Sequence, residues 1–183
     1  HLLAGMRYDN AESKTTRIGG ADSENPESDN LSPRGGLVWQ PIPELSLYGS
    51  YSENFTGING TSTTGGALLK PETAQQWELG MKTELFDKRF LATLAWFDLT
   101  KQNARIPDPI IPGASVAVGE ANVAGLELDV KGEILPGWNL IGAYAYTPNA
   151  ETTIGNPAEI GERFPGVPRH GGSLFTTYEL QSG

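Results

Sequence analysis

From Leu126 to Lys131 the chain alternates without a break: Leu126, Leu128 and Val130 are apolar, while Glu127, Asp129 and Lys131 are charged. Successive side chains of an extended strand point in opposite directions, so a period of two gives this segment one apolar face and one charged face. Such a strand needs an apolar surrounding on one side and water on the other. A soluble sandwich supplies that with a second sheet, and a membrane barrel supplies it with lipid outside and a wet lumen inside.

Seven further segments carry the same alternation or an enrichment in aromatic and β-branched residues, giving expected strands at 2–9, 35–41, 44–55, 73–86, 89–101, 119–134, 138–147 and 170–180. Their connections fall into two alternating length classes. Short ones occur at Pro41-Ile-Pro-Glu44, Phe86-Asp-Lys88 and Leu135-Pro-Gly137, and long polar ones at about 10–34, 56–72, 102–118 and 148–169. Short turns at one end and long loops at the other are the pattern of an up-and-down outer-membrane barrel, and a sandwich has no reason to sort its loops this way. Trp39, Trp77, Trp96, Trp138, Tyr48, Tyr51, Tyr144 and Tyr146 lie mostly within strands, several near their ends, where interfacial girdles form.

Composition narrows the function classes. No stretch approaches the run of about 18 apolar residues that a membrane-crossing helix needs, and mean hydropathy is −0.33. Barrel strands keep the average low because every second residue is polar, so this value leaves a barrel open. Cysteine is absent, which excludes disulfides and thiolate metal sites. A net charge of −9 argues against a nucleic-acid surface. No signal peptide is visible, and His1-Leu-Leu-Ala-Gly-Met-Arg-Tyr8 reads as a strand already under way.

Three motifs carry a resemblance. Leu69-Lys-Pro-Glu-Thr-Ala-Gln-Gln-Trp-Glu-Leu-Gly-Met-Lys82 contains a Glu-x-Gly-x-Lys pattern at Glu78, Gly80 and Lys82. Gly119-Glu-Ala-Asn-Val-Ala-Gly-Leu-Glu127 is followed by Leu135-Pro-Gly-Trp138 and a Tyr-x-Tyr strand, and Arg163-Phe-Pro-Gly-Val-Pro-Arg-His170 precedes the last strand. Together they resemble the barrel of TonB-dependent outer-membrane receptors, above all the ferric-siderophore branch. The resemblance implies an all-β fold: an antiparallel up-and-down transmembrane β-barrel of about 22 strands closed around a plug. Residues 1–183 would form part of that barrel domain, supplying about eight strands from its C-terminal half, with the plug and the remaining strands lying elsewhere. It implies energised uptake of ferric-siderophore complexes in the bacterial outer membrane. The siderophore would be bound by extracellular loops and plug, the TonB complex would act through the plug, and outer-membrane lipid would surround the barrel. Iron would arrive inside its chelate, so no cofactor is expected of the chain itself.

Ligand residues do not transfer from motifs that mark strands. On physical grounds Phe55, Arg105, Tyr146 and Arg163, at the loop ends of their strands, are candidates: the aromatics could pack a chelate and the arginines attract an anionic one. The competing reading is interfacial anchors and solvated loop charges.

Catalytic signatures are missing. His1 and His170 have no metal-ligand spacing, and there is no nucleophile elbow, phosphate loop or dinucleotide fingerprint, so no enzyme, catalytic residue or metal site is expected. Glu72, Glu78, Glu84, Glu120 and Glu127 suggest glycosidase pairs less well than lumen carboxylates paired across strands with Lys82, Lys131 and Arg34. The sequons Asn54-Phe-Thr56 and Asn59-Gly-Thr61 are incidental in a bacterial barrel. Two other classes stay open: a passive channel or structural barrel, and a soluble carbohydrate-binding β-sandwich.

Overall fold

The computed structural model describes residues 1–12, 14–15, 23–24, 28–57, 70–107, 115–117, 119–155, 157–158 and 160–180, with backbone alone at 14–15, 23–24, 105–107 and 115–117. Most of the expected connection at 56–72, including Asn59-Gly-Thr61 and Leu69, lies outside the described residues.

Twelve strands follow in order: β1 (Leu2–Ala11), β2 (Lys14–Thr15), β3 (Ser23–Glu24), β4 (Ser28–Ile42), β5 (Leu45–Thr56), β6 (Glu72–Leu85), β7 (Phe90–Gln102), β8 (Arg105–Pro107), β9 (Ser115–Ala117), β10 (Glu120–Leu135), β11 (Trp138–Ile154) and β12 (His170–Tyr178). Eight form one sheet in the order β1-β4-β5-β6-β7-β10-β11-β12, every neighbour antiparallel. The pairs β2-β3 and β8-β9 are small separate hairpins set into two of the long connections. The tight turns between Ile42 and Leu45, Leu85 and Phe90, and Leu135 and Trp138 all lie at the opposite end from the long connections. The eight expected strands and the alternation of their connections are thus as the sequence indicates.

The strands run further than expected at the long-connection end. β4 begins at Ser28 rather than 35, β1 continues to Ala11, and β11 reaches Ile154 rather than 147. The added stretch Ser28-Asp-Asn-Leu-Ser-Pro-Arg34 has only Leu31 and Pro33 as apolar outward residues, so its alternation is too short to mark a strand. Prolines also argued against these extensions, yet Pro33 sits within the ladder opposite Met6. Pro148 falls at a β-bulge, where Thr147 and Pro148 together face Gly125. A bulge leaves a residue unpaired, which removes the need for the amide proline lacks. With 16 residues, β10 is about 50 Å long, well beyond the 9 to 11 or so residues a membrane crossing needs.

The register sorts the side chains into two unlike faces. One row across the sheet carries Leu37, Gly49, Leu79, Trp96, Leu126 and Tyr146, and the next carries Trp39, Leu47, Met81, Leu94, Leu128 and Tyr144. These apolar side chains are exposed or half-exposed: Leu37 keeps 58 % of its surface and Leu79 55 %. Among the described residues the buried apolar positions are only Ala95, Ala104, Ala121, Ala124 and Ala150. A soluble sandwich would bury its leucines and tryptophans between two sheets. This sheet turns them outward, which makes that surface the lipid face and the opposite one the lumen wall.

That assignment makes a pair of substitutions diverge. Leu128→Arg places a charge at mid-height on the lipid face and should destabilise folding into bilayers by about 2 to 4 kcal/mol. Asp129→Arg, one residue further on and facing the lumen, should change it by less than about 1 kcal/mol. Urea titration of the parent barrel in lipid vesicles reads the difference; equal effects would overturn the assignment of faces.

Candidate functional site

The lumen wall is built by the residues that alternate with the lipid-facing set. Glu78, Gly80 and Lys82 of β6 all point to it, which is what a spacing of two requires. Tyr48 of β5 stands opposite Gly80 and donates a 2.6 Å hydrogen bond from its hydroxyl to Oε1 of Glu78. The phenol ring covers Gly80 so closely that a Cβ there would lie 2.5 Å from ring atoms. Gly80 is therefore the seat for a cross-strand aromatic side chain, and Glu78 is the acceptor that holds it. Gln76 adds a weak 3.4 Å bond to the other carboxylate oxygen.

The expected cross-strand ion pairs form with different partners. Glu72 pairs with Lys101 at 2.7 Å, Glu84 with Lys88 at 3.5 Å, and Glu133 with Arg89 at 3.5 Å. Glu120 is approached by Gln102 at 3.3 Å and Thr153 at 2.8 Å, on the outward face rather than the lumen wall. Lys82, Lys131 and Arg34 have no ion pair among the described residues. The reason lies in the register: Lys82 aligns with Asp129 and Lys131 with Glu84, but in each case β7 runs between, contributing Thr93 or Leu91. Two strand spacings, about 9.6 Å, exceed ion-pair reach.

The four candidate ligand residues are not brought together. Phe55 lies half-buried at the long-connection end of β5, in the outward row with Thr73, Gln102 and Glu120. Tyr146 also faces outward, level with Leu126, and stacks on His170 with ring centroids 4.9 Å apart. Tyr144 donates to or accepts from Nδ1 of the same histidine at 2.8 Å, so these rings form part of an outward aromatic girdle with Tyr51 and Trp77, whose centroids are 4.6 Å apart. Arg105 opens β8 in the hairpin at the mouth, and its side chain lies outside the described residues.

Arg163 is engaged by its own backbone surroundings. Its guanidinium donates to the carbonyls of Thr147 at 2.9 Å, Pro148 at 3.3 Å and Val167 at 3.1 Å. Nearby, the amide of Phe164 donates to the Ala150 carbonyl at 2.7 Å and that of Thr147 to the Arg169 carbonyl at 2.9 Å. Beyond Tyr146, where its pairing with β12 ends, β11 is thus edged by its own connection, with Arg163 clamping the two. Two residues take roles other than those expected from the sequence: Tyr48, expected in the interfacial girdle, faces the lumen, and Arg34, expected to pair with a lumen carboxylate, has no ion pair among the described residues. The first could have been sought as the aromatic that a strand glycine accommodates.

The profile of the family described as "TonB dependent receptor-like, beta-barrel" matches residues 1–183. The chain belongs to the TonB-dependent receptors. It is similar to the metal-pseudopaline receptor CntO of Pseudomonas aeruginosa, 35 % identical over 187 residues that cover 99 % of this chain and 26 % of that protein. The ferric-pyoverdine 358 receptor of Pseudomonas putida is 30 % identical, covering 98 % of this chain and 22 % of the receptor. Among solved structures, the siderophore receptor PiuA from Acinetobacter baumannii superposes with a TM-score of 0.78 at 28 % identity, covering 98 % of this chain and 29 % of that one. This TonB-dependent receptor chain therefore spans about a quarter of the length of the curated relatives it matches, and it is outer-membrane barrel wall throughout its eight-stranded sheet.

Two outcomes follow from this geometry. Gly80→Ala should destabilise the parent barrel by about 1 to 3 kcal/mol through overpacking against Tyr48, and pairing it with Tyr48→Ala should recover part of the loss in urea titrations. Arg163→Ala should expose the chain between Ile154 and His170 to limited proteolysis while leaving the eight strands protected; unchanged cleavage would show that the clamp does not hold the connection.

Proposed function

We propose that the protein to which this chain belongs takes up a metal chelate, in the first place a ferric siderophore, across the outer membrane. The observation that supports it most is family membership across residues 1–183, together with relatives named for metal-pseudopaline and ferric pyoverdine. The chelate is taken at the mouth, where the long connections gather and where Arg105 opens the β8–β9 hairpin. Residues 1–183 act as part of a barrel of about 22 strands, with a plug supplied elsewhere in the parent protein and the TonB complex as the source of energy. The protein moves its cargo without transforming it. The metal comes with its ligands in place, so the barrel contributes shape and charge rather than a coordination shell.

A passive channel and a soluble carbohydrate-binding sandwich receive less support, the second because the sheet exposes its leucines. One relative's name, which gives metal-pseudopaline without specifying iron, favours a second reading in which the cargo metal is another transition ion. The test is binding and uptake with the parent protein from detergent-extracted outer membranes. Ferric pyoverdine and pseudopaline loaded with iron, nickel or zinc are titrated, and uptake is followed with the TonB system intact and deleted. Sub-micromolar binding of one chelate with TonB-dependent uptake is expected; entry that persists without TonB would overturn the energised reading in favour of a passive channel.

A further inference from the structure

Most lumen-facing cations in the upper half of this wall are neutralised on the spot. Arg7 pairs with Asp9 at 2.7 Å and Lys101 with Glu72 at 2.7 Å. Arg34 of β4 is different. It is exposed, points to the lumen between Gly5 and Ser52, and has no hydrogen bond or ion pair among the described residues. Its side chain lies over Gly5, where a Cβ would come within 2.9 Å of Nε and 3.3 Å of Cγ.

The surroundings leave that charge uncompensated. On β4 and β5 the lumen-facing neighbours one step above and below are Ser32, Gly36, Ser50 and Asn54, and on β1 they are Leu3 and Arg7; none is a carboxylate. The level matters as well. Tyr51, the residue before Ser52, faces outward and packs on Trp77, so Arg34 stands in the lumen at the height of the outer aromatic girdle, below the long connections. Directly beneath it opens a depression lined by Leu3, Gly36, Tyr48, Ser50 and Lys82, the last a second cation without an ion pair.

We propose that Arg34 is an oxyanion subsite on the barrel wall, holding a carboxylate of an incoming metal chelate while the depression beside Tyr48 receives the chelate's body. A guanidinium presents a planar fork of N–H donors that matches a carboxylate in two parallel hydrogen bonds. The hydroxyl and amide neighbours on β4 and β5 add donors, and the carboxylate nearest the depression, Glu78, is already engaged by the Tyr48 hydroxyl. Lys82 extends the positive path toward the short-turn end. The inference rests on the chelate-uptake reading and deepens it, by specifying an acidic chelate and one group that recognises it.

The test is a four-way comparison on the parent receptor, using the chelate that binds in the preceding titration and the same chelate with its free carboxylate converted to a methyl ester. Arg34→Gln should weaken binding of the acid about tenfold or more and leave the ester unchanged, and it should flatten the salt dependence of the acid's affinity. Arg34→Lys, which keeps the charge and loses the fork, should fall between. An equal loss for acid and ester would mean that Arg34 acts on the barrel or its plug rather than on the chelate, and would overturn the subsite, as would no loss at all. Native binding without an Arg34 effect leaves uptake standing and removes only this inference; no binding of any chelate by the unaltered receptor removes both.

Discussion

Every strand of this sheet is bound by one rule: in hydrocarbon, a backbone N–H or C=O without a partner has no water to turn to and costs several kcal/mol. The antiparallel ladder satisfies that rule between neighbours, and the rest of the structure follows. The side chains, freed from building a core, divide into an outward apolar set and an inward polar set. Alanines are the buried apolar residues among those described, because the space under larger side chains on a single curved sheet is small. The rule weakens above the membrane. There β11 outruns β12, and its exposed edge is met by its own connection and by the three carbonyl contacts of Arg163.

The lumen wall shows how a charged surface is kept orderly. Lys101 and Glu72 neutralise each other at short range, and Tyr48 ties β5 to β6 through Glu78. Each tie restricts side chains that would otherwise move in a wide wet space. An isolated exposed ion pair contributes less than about 1 kcal/mol, so the hydrogen-bonded ring seated on Gly80 gives the wall more definition than its salt bridges do. Against this background, Arg34, Lys82 and Lys131 are lumen cations without an ion pair among the described residues, and Arg34 stands nearest the mouth.

How much could be read from the sequence depends on which physical signal each residue carries. Leu126 to Lys131 announces a strand because one face meets lipid and the other water, and the sheet places those residues accordingly. Ser28 to Arg34 forms an equally regular strand, but with only Leu31 and Pro33 apolar on its outward face the alternation is too short to mark it. The Glu78, Gly80, Lys82 spacing is visible as a motif, whereas its cause is Tyr48, thirty residues away. Ion pairing was legible only as a tendency: one cannot tell from charges alone that β7 separates Lys131 from Glu84. Tyr146 looked like a loop-end aromatic open to a ligand, and its outward stacking on His170 depends on a register that begins two strands earlier in the ladder. Arg163 was a candidate for the same reason, and only the folded connection reveals the carbonyls that occupy it.

The clamp at Arg163 also uncouples the strand end from the side chains around it. Because the guanidinium grips the strand end and the segment leading into β12 through main-chain carbonyls, it is indifferent to the side chains of Thr147, Pro148 and Val167. Sequence can drift at those positions without loosening the grip, and the outermost part of the connection can be rewritten while the descent into β12 stays fixed. A wall held this way can carry a changed outer surface, one substitution at a time, without any change to the strands beneath it.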